Sequence, residues 1–415
     1  MKWGLPISIS LLFWTLIGII RYVNEKINKK NEHIIYENSS LHQKRVDQVA
    51  VCIAAKNEEE VLDGTIKAIK KMLPVKNCYV VSDGSDDATE LIAKKYKVNL
   101  LAFKKSHGKG EALELLIKKY DLLKKFKFIL FVDADTKINK HYINNALELF
   151  RDPQIACIAG FAKNQWRQHD GIDWKYFFIG YRTRLYSILQ LLMVYGQTWK
   201  FLNVTSIAPG FASIYRTSVL KKLKINVPDL IIEDFNLAFQ IRKKKLGLIA
   251  HHPSIFGTAQ DPTNMSDYIK QVERWNLGFF QTVKKYKIWI SLFWLALGIF
   301  IVEGFISAVF FLSIPIIIAT LFFVVLQPLT NIWLVEIDIS TLNTLIMLSE
   351  IIIGVTVADY LLTIFIAIRD KKYKLLLYGV GFAVFRYIDA LILITTAPKA
   401  FFIKSNGTWT SPKRS

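Results

Sequence analysis

Apolar residues along this chain come in three textures. Residues 3–23 form one apolar stretch, from Trp3 through Phe13 and Trp14 to Val23, close to the ~20 residues that cross a bilayer as a helix. From Val49 the apolar runs shorten and alternate with helical patterns. Residues 288–328, 341–368 and 374–398 are then almost uninterrupted apolar sequence. The first stretch predicts an uncleaved anchor over 1–25 rather than a signal peptide. It lacks a sizeable basic n-region, and Glu25-Lys26-Ile27-Asn28-Lys29-Lys30 follows where a small-residue cleavage site would stand. Residues 31–46 are polar and aperiodic, and read as a linker.

The middle texture predicts buried strands at Val49–Ala54, Cys78–Ser82, Val98–Phe103 and Phe128–Val132, with helices at Val61–Met72, Ala88–Tyr96 and Gly110–Tyr120 between them. Such alternation implies a mostly parallel sheet of the doubly wound, nucleotide-binding kind. Further strands are expected at Ile155–Phe161 and Phe211–Tyr215, and a helix at Phe235–Lys243. The aromatic, basic stretch Trp174–Gly196, with Arg182 and Arg184, suits a helix lying on a membrane or lining an acceptor groove, and equally an ordinary core helix with a basic edge. Asp267–Tyr286 reads as an amphipathic helix leading into the last apolar blocks. Of these, 288–328 fits either one long span with an interfacial piece or two short spans, whereas 341–368 and 374–398 are each long enough for one. Arg386 and Asp389 in the final block call for a protein-buried or water-lined position, because charge in hydrocarbon is costly.

Charge sharpens the membrane picture. The 54 Lys+Arg against 34 Asp+Glu give a net +20 over 415 residues. The clusters abut the apolar blocks: Lys26, Lys29 and Lys30 after the first, Lys284, Lys285 and Lys287 before the next. That is the signature of the cytoplasmic side of a membrane protein and argues against a nucleic-acid partner. By the same rule Arg369–Lys374 belongs in the cytoplasm and Glu336 and Asp338 outside. Cys52, Cys78 and Cys157 are too few and scattered for a disulfide framework or a structural zinc site.

The chemistry lies in acids that follow apolar runs. A carboxylate there sits at a strand's carboxyl end, where open α/β sheets bind ligands. Asp83 ends the second strand, in Val81-Ser82-Asp83-Gly84-Ser85; its carboxylate suits a base or a ribose, or an Asx-turn into the next helix. Asp133 and Asp135, one residue apart after the fourth strand, offer hard oxygens to Mg²⁺ or Mn²⁺, which could take up charge on a leaving pyrophosphate. Lys109, between Gly108 and Gly110 at a helix start, suits a phosphate or is a solvated loop lysine. Glu233 and Asp234 precede a helix. Asp234 is placed to deprotonate an acceptor hydroxyl, or both are charges that favour the helix dipole.

In that order and between membrane segments, Val81-Ser82-Asp83-Gly84-Ser85, Asp133-Ala134-Asp135, Glu233-Asp234 with Leu237, and Gln271 with Arg274-Trp275 resemble the processive, membrane-embedded inverting glycosyltransferases of family 2. That group makes cellulose, hyaluronan, chitin oligosaccharides and poly-N-acetylglucosamine. The resemblance covers residues 49–285; Ala397-Pro398-Lys399-Ala400 and residues 407–414 look most like the end of the bacterial poly-N-acetylglucosamine synthases. It implies that Asp83 contacts uridine, Asp133 and Asp135 hold the metal, and Asp234 is the base. Gln271, Arg274 and Trp275 would form a lid on the donor, with Arg274 on the diphosphate and Trp275 near the acceptor sugar. Gly210 and Phe211 would sit at the acceptor-terminus loop, and Trp409 and Arg414 in a C-terminal gate. The chain departs from the pattern at Ile232, where the family often has Thr, at Asn236, and at Glu273, an acid beside a pyrophosphate site if it faces inward.

The expectation is thus an α/β, GT-A-type nucleotide-sugar-binding domain with a mostly parallel sheet, set between an N-terminal transmembrane helix and a C-terminal transmembrane helical region. The segments are an anchor at 1–25, a cytosolic GT-A domain at 47–262, an amphipathic interfacial helix at 263–287, a transmembrane region at 288–398 and a cytosolic tail at 399–415. The expected partners are a UDP-sugar donor, a growing glycan or glycolipid acceptor, the lipid bilayer and a small accessory membrane subunit. Rival readings are an enzyme adding one sugar to a lipid, and a non-catalytic transporter or scaffold with a degenerate nucleotide-binding domain.

Overall fold

The computed structural model describes residues 8–29, 46–166, 171–330 and 339–403. Most of the expected linker, Glu336, Asp338, and the C-terminal motif with Trp409 and Arg414 lie outside them. Among the described residues ten strands run in chain order as β1 (Val49–Ala55), β2 (Cys78–Asp83), β3 (Asn99–Phe103), β4 (Phe128–Asp133), β5 (Lys137–Ile138), β6 (Ile155–Ala159), β7 (Phe161–Asn164), β8 (Ala212–Arg216), β9 (Leu248–Ala250) and β10 (Phe256–Ala259). Seven form the central sheet, in the order β3-β2-β1-β4-β8-β6-β9; β5-β10-β7 form a small second one. The central sheet is parallel except for β8, which runs against both β4 and β6.

Every residue of β1 is buried, as expected of a parallel strand covered on both faces. Successive side chains point to opposite faces. Val51, Ile53, Val80 and Leu130 therefore pack with Leu62, Ile66 and Ile69 of helix Leu62–Lys70, while Cys52, Val81, Ile129 and Phe131 pack with Leu113, Leu116 and Ile117 of helix Lys109–Lys119. The three cysteines are free and buried; burial pushes the Cys78 thiol up to about 12, so it stays protonated and acts as a small apolar side chain.

The strand expected at 155–161 divides at Gly160 into β6 and β7, which belong to different sheets. The chain can turn there because Gly160 crosses the start of β8: its N–H donates to the Ala212 carbonyl at 2.8 Å, and an added Cβ would lie 2.1 Å from that oxygen. The short strands β5, β9 and β10 and helix Tyr142–Leu149 carry too few residues of one period to be read from sequence.

The aromatic stretch becomes helix Trp174–Ile188, continued by a π-helical turn at Leu189–Val194. The N-terminal helix Ile9–Lys29 lies across that turn and the following Tyr195–Gln197. Arg21 fixes the crossing: its Nη1 donates to the Tyr195 carbonyl and Thr198 Oγ1, its Nη2 to the His251 carbonyl, and its Nε pairs with Glu25. The opposite face, with Leu12, Phe13, Leu16, Ile19 and Val23, is exposed.

Among the described residues, two helices are long and apolar enough to cross a bilayer, over Leu292–Val324 and Ser340–Arg369. The block 288–328 folds as a single helix, Leu292–Thr330, rather than two short spans. The last block breaks into Leu375–Gly379 and Phe382–Phe402, and the final helix packs on helices Met265–Tyr286 and Leu292–Thr330. Arg386 and Asp389 are buried there as their charges demanded. Asp359 takes Arg184 at 2.6 Å and Arg386 at 3.1 Å. Asp389 accepts the hydroxyls of Tyr181 at 2.8 Å and Tyr268 at 2.6 Å.

Gly160→Ala tests the crossing. A methyl group against a backbone oxygen cannot be relieved by a side-chain rotation, so the variant should lose about 3 kcal/mol and melt well below the wild type in detergent; an unchanged melt would remove this role.

Candidate active site

The carboxyl ends of β2, β1 and β4 lie along one edge of the central sheet, so Asp83 and Asp133 end the two strands that flank β1. The antiparallel β8 brings the two residues before it, Gly210 and Phe211, to the same edge, where the Asp133 N–H donates to the Phe211 carbonyl at 3.3 Å. Glu233 and Asp234 occupy the first turn of helix Glu233–Lys243. Lys109 is the first residue of its helix, entered through Gly108 at φ 89°. These elements meet at a cavity of about 380 Å³ whose wall includes Lys109, Asp133, Asp135, Phe211, Glu233 and Asp234.

At its centre the Lys109 Nζ lies 2.8 Å from Asp133 Oδ1 and 2.5 Å from Glu233 Oε1. Gly210 leaves the room: a Cβ there would stand 2.5 Å from Asp234 Oδ1 and 2.9 Å from both Glu233 Oε1 and Lys109 Nζ. Burial works against the Lys109 charge, but Asp133, Glu233 and Asp234 outweigh it and raise its pKa, so the ammonium persists. Asp234 is pushed up to about 7, first by burial and then by the negative Glu233; Lys109 and the Gly210 N–H pull the other way. A carboxyl poised there exchanges a proton near neutrality.

Asp135 is buried and accepts a hydrogen bond from Thr136 Oγ1 at 3.3 Å. With Asp133 it presents hard oxygen donors to the cavity. No group of three His, Cys, Asp or Glu side chains among the described residues could hold a metal by itself, so a cation here would need further oxygens from a ligand.

Asp83 is placed differently. Its fully buried carboxylate accepts from Ser106 Oγ at 2.7 Å, the His107 N–H at 2.8 Å and the Gly108 N–H at 2.9 Å. It anchors the loop that delivers Lys109, and does not belong to the cavity wall.

Helix Met265–Tyr286 brings Gln271, Arg274 and Trp275 to the cavity, and Glu273 is not part of its wall. Gln271 Oε1 accepts from Arg182 Nη2 at 2.7 Å. The fully buried Arg182 guanidinium lies 4.7 Å from the Trp275 ring centroid and 4.6 Å from that of Tyr268. Sequence reading found Arg182 without this role. It missed Glu58, a buried acid of the cavity wall just beyond β1, although the signal that marked Asp83 and Asp133, an acid after an apolar run, was available there.

Residues 50–223 match the model of glycosyl transferase family 2. The domain that holds most of these acids is a family 2 glycosyltransferase domain with a GT-A fold, and the protein is a glycosyltransferase. Over 99% of its length, and 96% of the relative's, the chain is 24% identical to the poly-β-1,6-N-acetyl-D-glucosamine synthase of Staphylococcus epidermidis. An uncharacterized protein of Methanocaldococcus jannaschii is 29% identical over 210 residues, 49% of this chain and 86% of that protein. A mannosyltransferase of Pyrobaculum calidifontis, solved with GDP-mannose and Mn²⁺, shares the fold: TM-score 0.51 at 15% identity, over 94% of this chain and 99% of that one.

Gly210→Ala should leave the protein folded yet cut sugar transfer by about two orders of magnitude, because the methyl group must push Asp234 or Lys109 out of register. Near-normal turnover would show that the cluster tolerates the displacement.

Proposed function

We propose that this chain is a membrane-bound inverting glycosyltransferase that moves a sugar, N-acetylglucosamine in our reading, from a UDP-sugar onto a growing β-linked polysaccharide. It would hold the product through successive additions and pass it out through the C-terminal helices, with the catalytic domain in the cytosol. The observation that carries the reading is the buried Asp234 carboxyl beside Lys109 in a cavity bordered by Gln271, Arg274 and Trp275. Full-length similarity to a poly-N-acetylglucosamine synthase supports the sugar and the polymer. Two bilayer-length apolar helices and the basic residues flanking the apolar blocks support the membrane setting.

In this mechanism Asp234 takes the proton of an acceptor hydroxyl as its oxygen bonds to the anomeric carbon and the nucleoside diphosphate departs. Lys109, at a helix N-terminus, faces the diphosphate together with Arg274. Asp133 and Asp135 would hold Mg²⁺ or Mn²⁺, which when bound neutralises charge on the leaving diphosphate. Asp83 acts through the 106–108 loop, and Trp275 offers its face to a pyranose ring. The rival with a single addition to a lipid-linked acceptor has its own support: Ala296, Leu297 and Phe300 of helix Leu292–Thr330 line the same cavity and suit an alkyl chain.

UDP release by the detergent-purified protein, with a panel of UDP-sugars and with or without Mg²⁺ or Mn²⁺, tests the reading. Metal-dependent release with UDP-N-acetylglucosamine and a high-molecular-weight product is expected. A small lipid product would select the single-addition enzyme, and no release from any donor would sink both.

The pH profile tests the base. Only the carboxylate form of Asp234 accepts a proton, so kcat/KM should fall tenfold per unit below about pH 7 and level off above it. Asp234→Asn should bind donor and lose about 10²–10⁴-fold in transfer; a flat profile with an active Asn variant would put the base elsewhere.

A further inference from the structure

One wall of the cavity takes no part in the reaction as proposed. Beyond β8, the parallel strands β6 and β9 end side by side at Ala159 and Ala250, so His251 emerges on the same sheet edge as Asp133. His251 lines the cavity together with Asn164, Tyr186, Gln190 and Gln197, a polar set of the kind that meets sugar hydroxyls.

The ring is held from three sides. Its Nδ1 lies 2.9 Å from the Ala159 carbonyl, and because a carbonyl only accepts, Nδ1 carries the proton. Its face stacks on Phe161, with centroids 5.5 Å apart and an interplanar angle of 22°. Its main-chain carbonyl accepts from Arg21 Nη2 at 3.1 Å. Nε2 is consequently a lone-pair acceptor, and it is buried with no hydrogen-bond partner among the described residues. Burial pushes the imidazole down to about 4, in keeping with a neutral ring. Buried polar atoms are nearly always paired, so an acceptor fixed in the wall of a substrate cavity with no protein donor calls for a donor that enters with the ligand.

We infer that His251 Nε2 accepts a hydrogen bond from a hydroxyl or amide N–H of the acceptor glycan, forming a sugar subsite at the β6–β9 end of the cavity. The inference rests on the glycan-extending reading above. It also gives the N-terminal helix a part in the site, since Arg21 holds the His251 main chain.

Calorimetric titration of the full-length protein with N-acetylglucosamine tetramer tests this without requiring turnover. His251→Phe keeps a flat ring and removes the acceptor, whereas His251→Gln retains one. The tetramer Kd should rise about five- to tenfold in the Phe variant and much less in the Gln variant, with both variants melting as folded proteins. In turnover assays the acceptor KM should rise relative to the donor KM. An unchanged Kd in folded His251→Phe, no tetramer binding by the wild type, or a rise in the donor KM instead would each overturn the subsite. If the wild type binds the tetramer through His251 yet releases no UDP from any donor, the proposed reaction fails and the subsite stands.

Discussion

One buried ammonium organises the carboxyl edge of the sheet. Lys109 reaches Asp133 from β4 and Glu233 from the helix after β8, so its charge joins elements more than a hundred residues apart. Without it, three carboxylates would face one another in a place where burial already disfavours charge. The surrounding structure serves this contact. Asp83 holds the loop that starts the lysine's helix, and Gly210 keeps the space between lysine and acids open.

The reversal of β8 is what lets these parts meet. In a wholly parallel sheet this strand would begin at the opposite, amino edge and residues 210 and 211 would lie far from the acids. Because β8 runs backwards, its first residues lie beside the last residues of β4, and the segment before it reaches the acids. β6 and β7 bend around that same start, which is why a glycine stands where they part.

Much of this was legible in the sequence where a single strong pattern carried it. Apolar runs ending in acid located β2 and β4 with their carboxylates, and the amphipathic spacing of 267–286 placed Gln271, Arg274 and Trp275 on one helix. What escaped depended on tertiary contact. Nothing local distinguishes an antiparallel Ala212–Arg216 from a parallel strand, and the turn of Asp83 towards its neighbouring loop rather than the cavity is decided by main-chain donors at 107 and 108. Arg182 and His251 each stand in unremarkable local sequence; their partners come from 89 and 92 residues away. Motif reading reaches the residues that a fold brings to a sheet edge, and stops short of those that hold them there.

The pairing of Asp389 with Tyr181 and Tyr268 bears on how far this enzyme can be taken apart. Both tyrosines belong to the part that carries the site, one on helix Trp174–Ile188 and the other on the helix of Gln271, but their acceptor sits on the final helix. Arg184 likewise depends on Asp359. A fragment ending at residue 287 would leave two hydroxyls and a guanidinium without the groups that satisfy them. The half that carries the site is therefore no detachable module: helix Leu292–Thr330 lends Ala296, Leu297 and Phe300 to its cavity wall, and the later helices hold the partners of its buried polar groups.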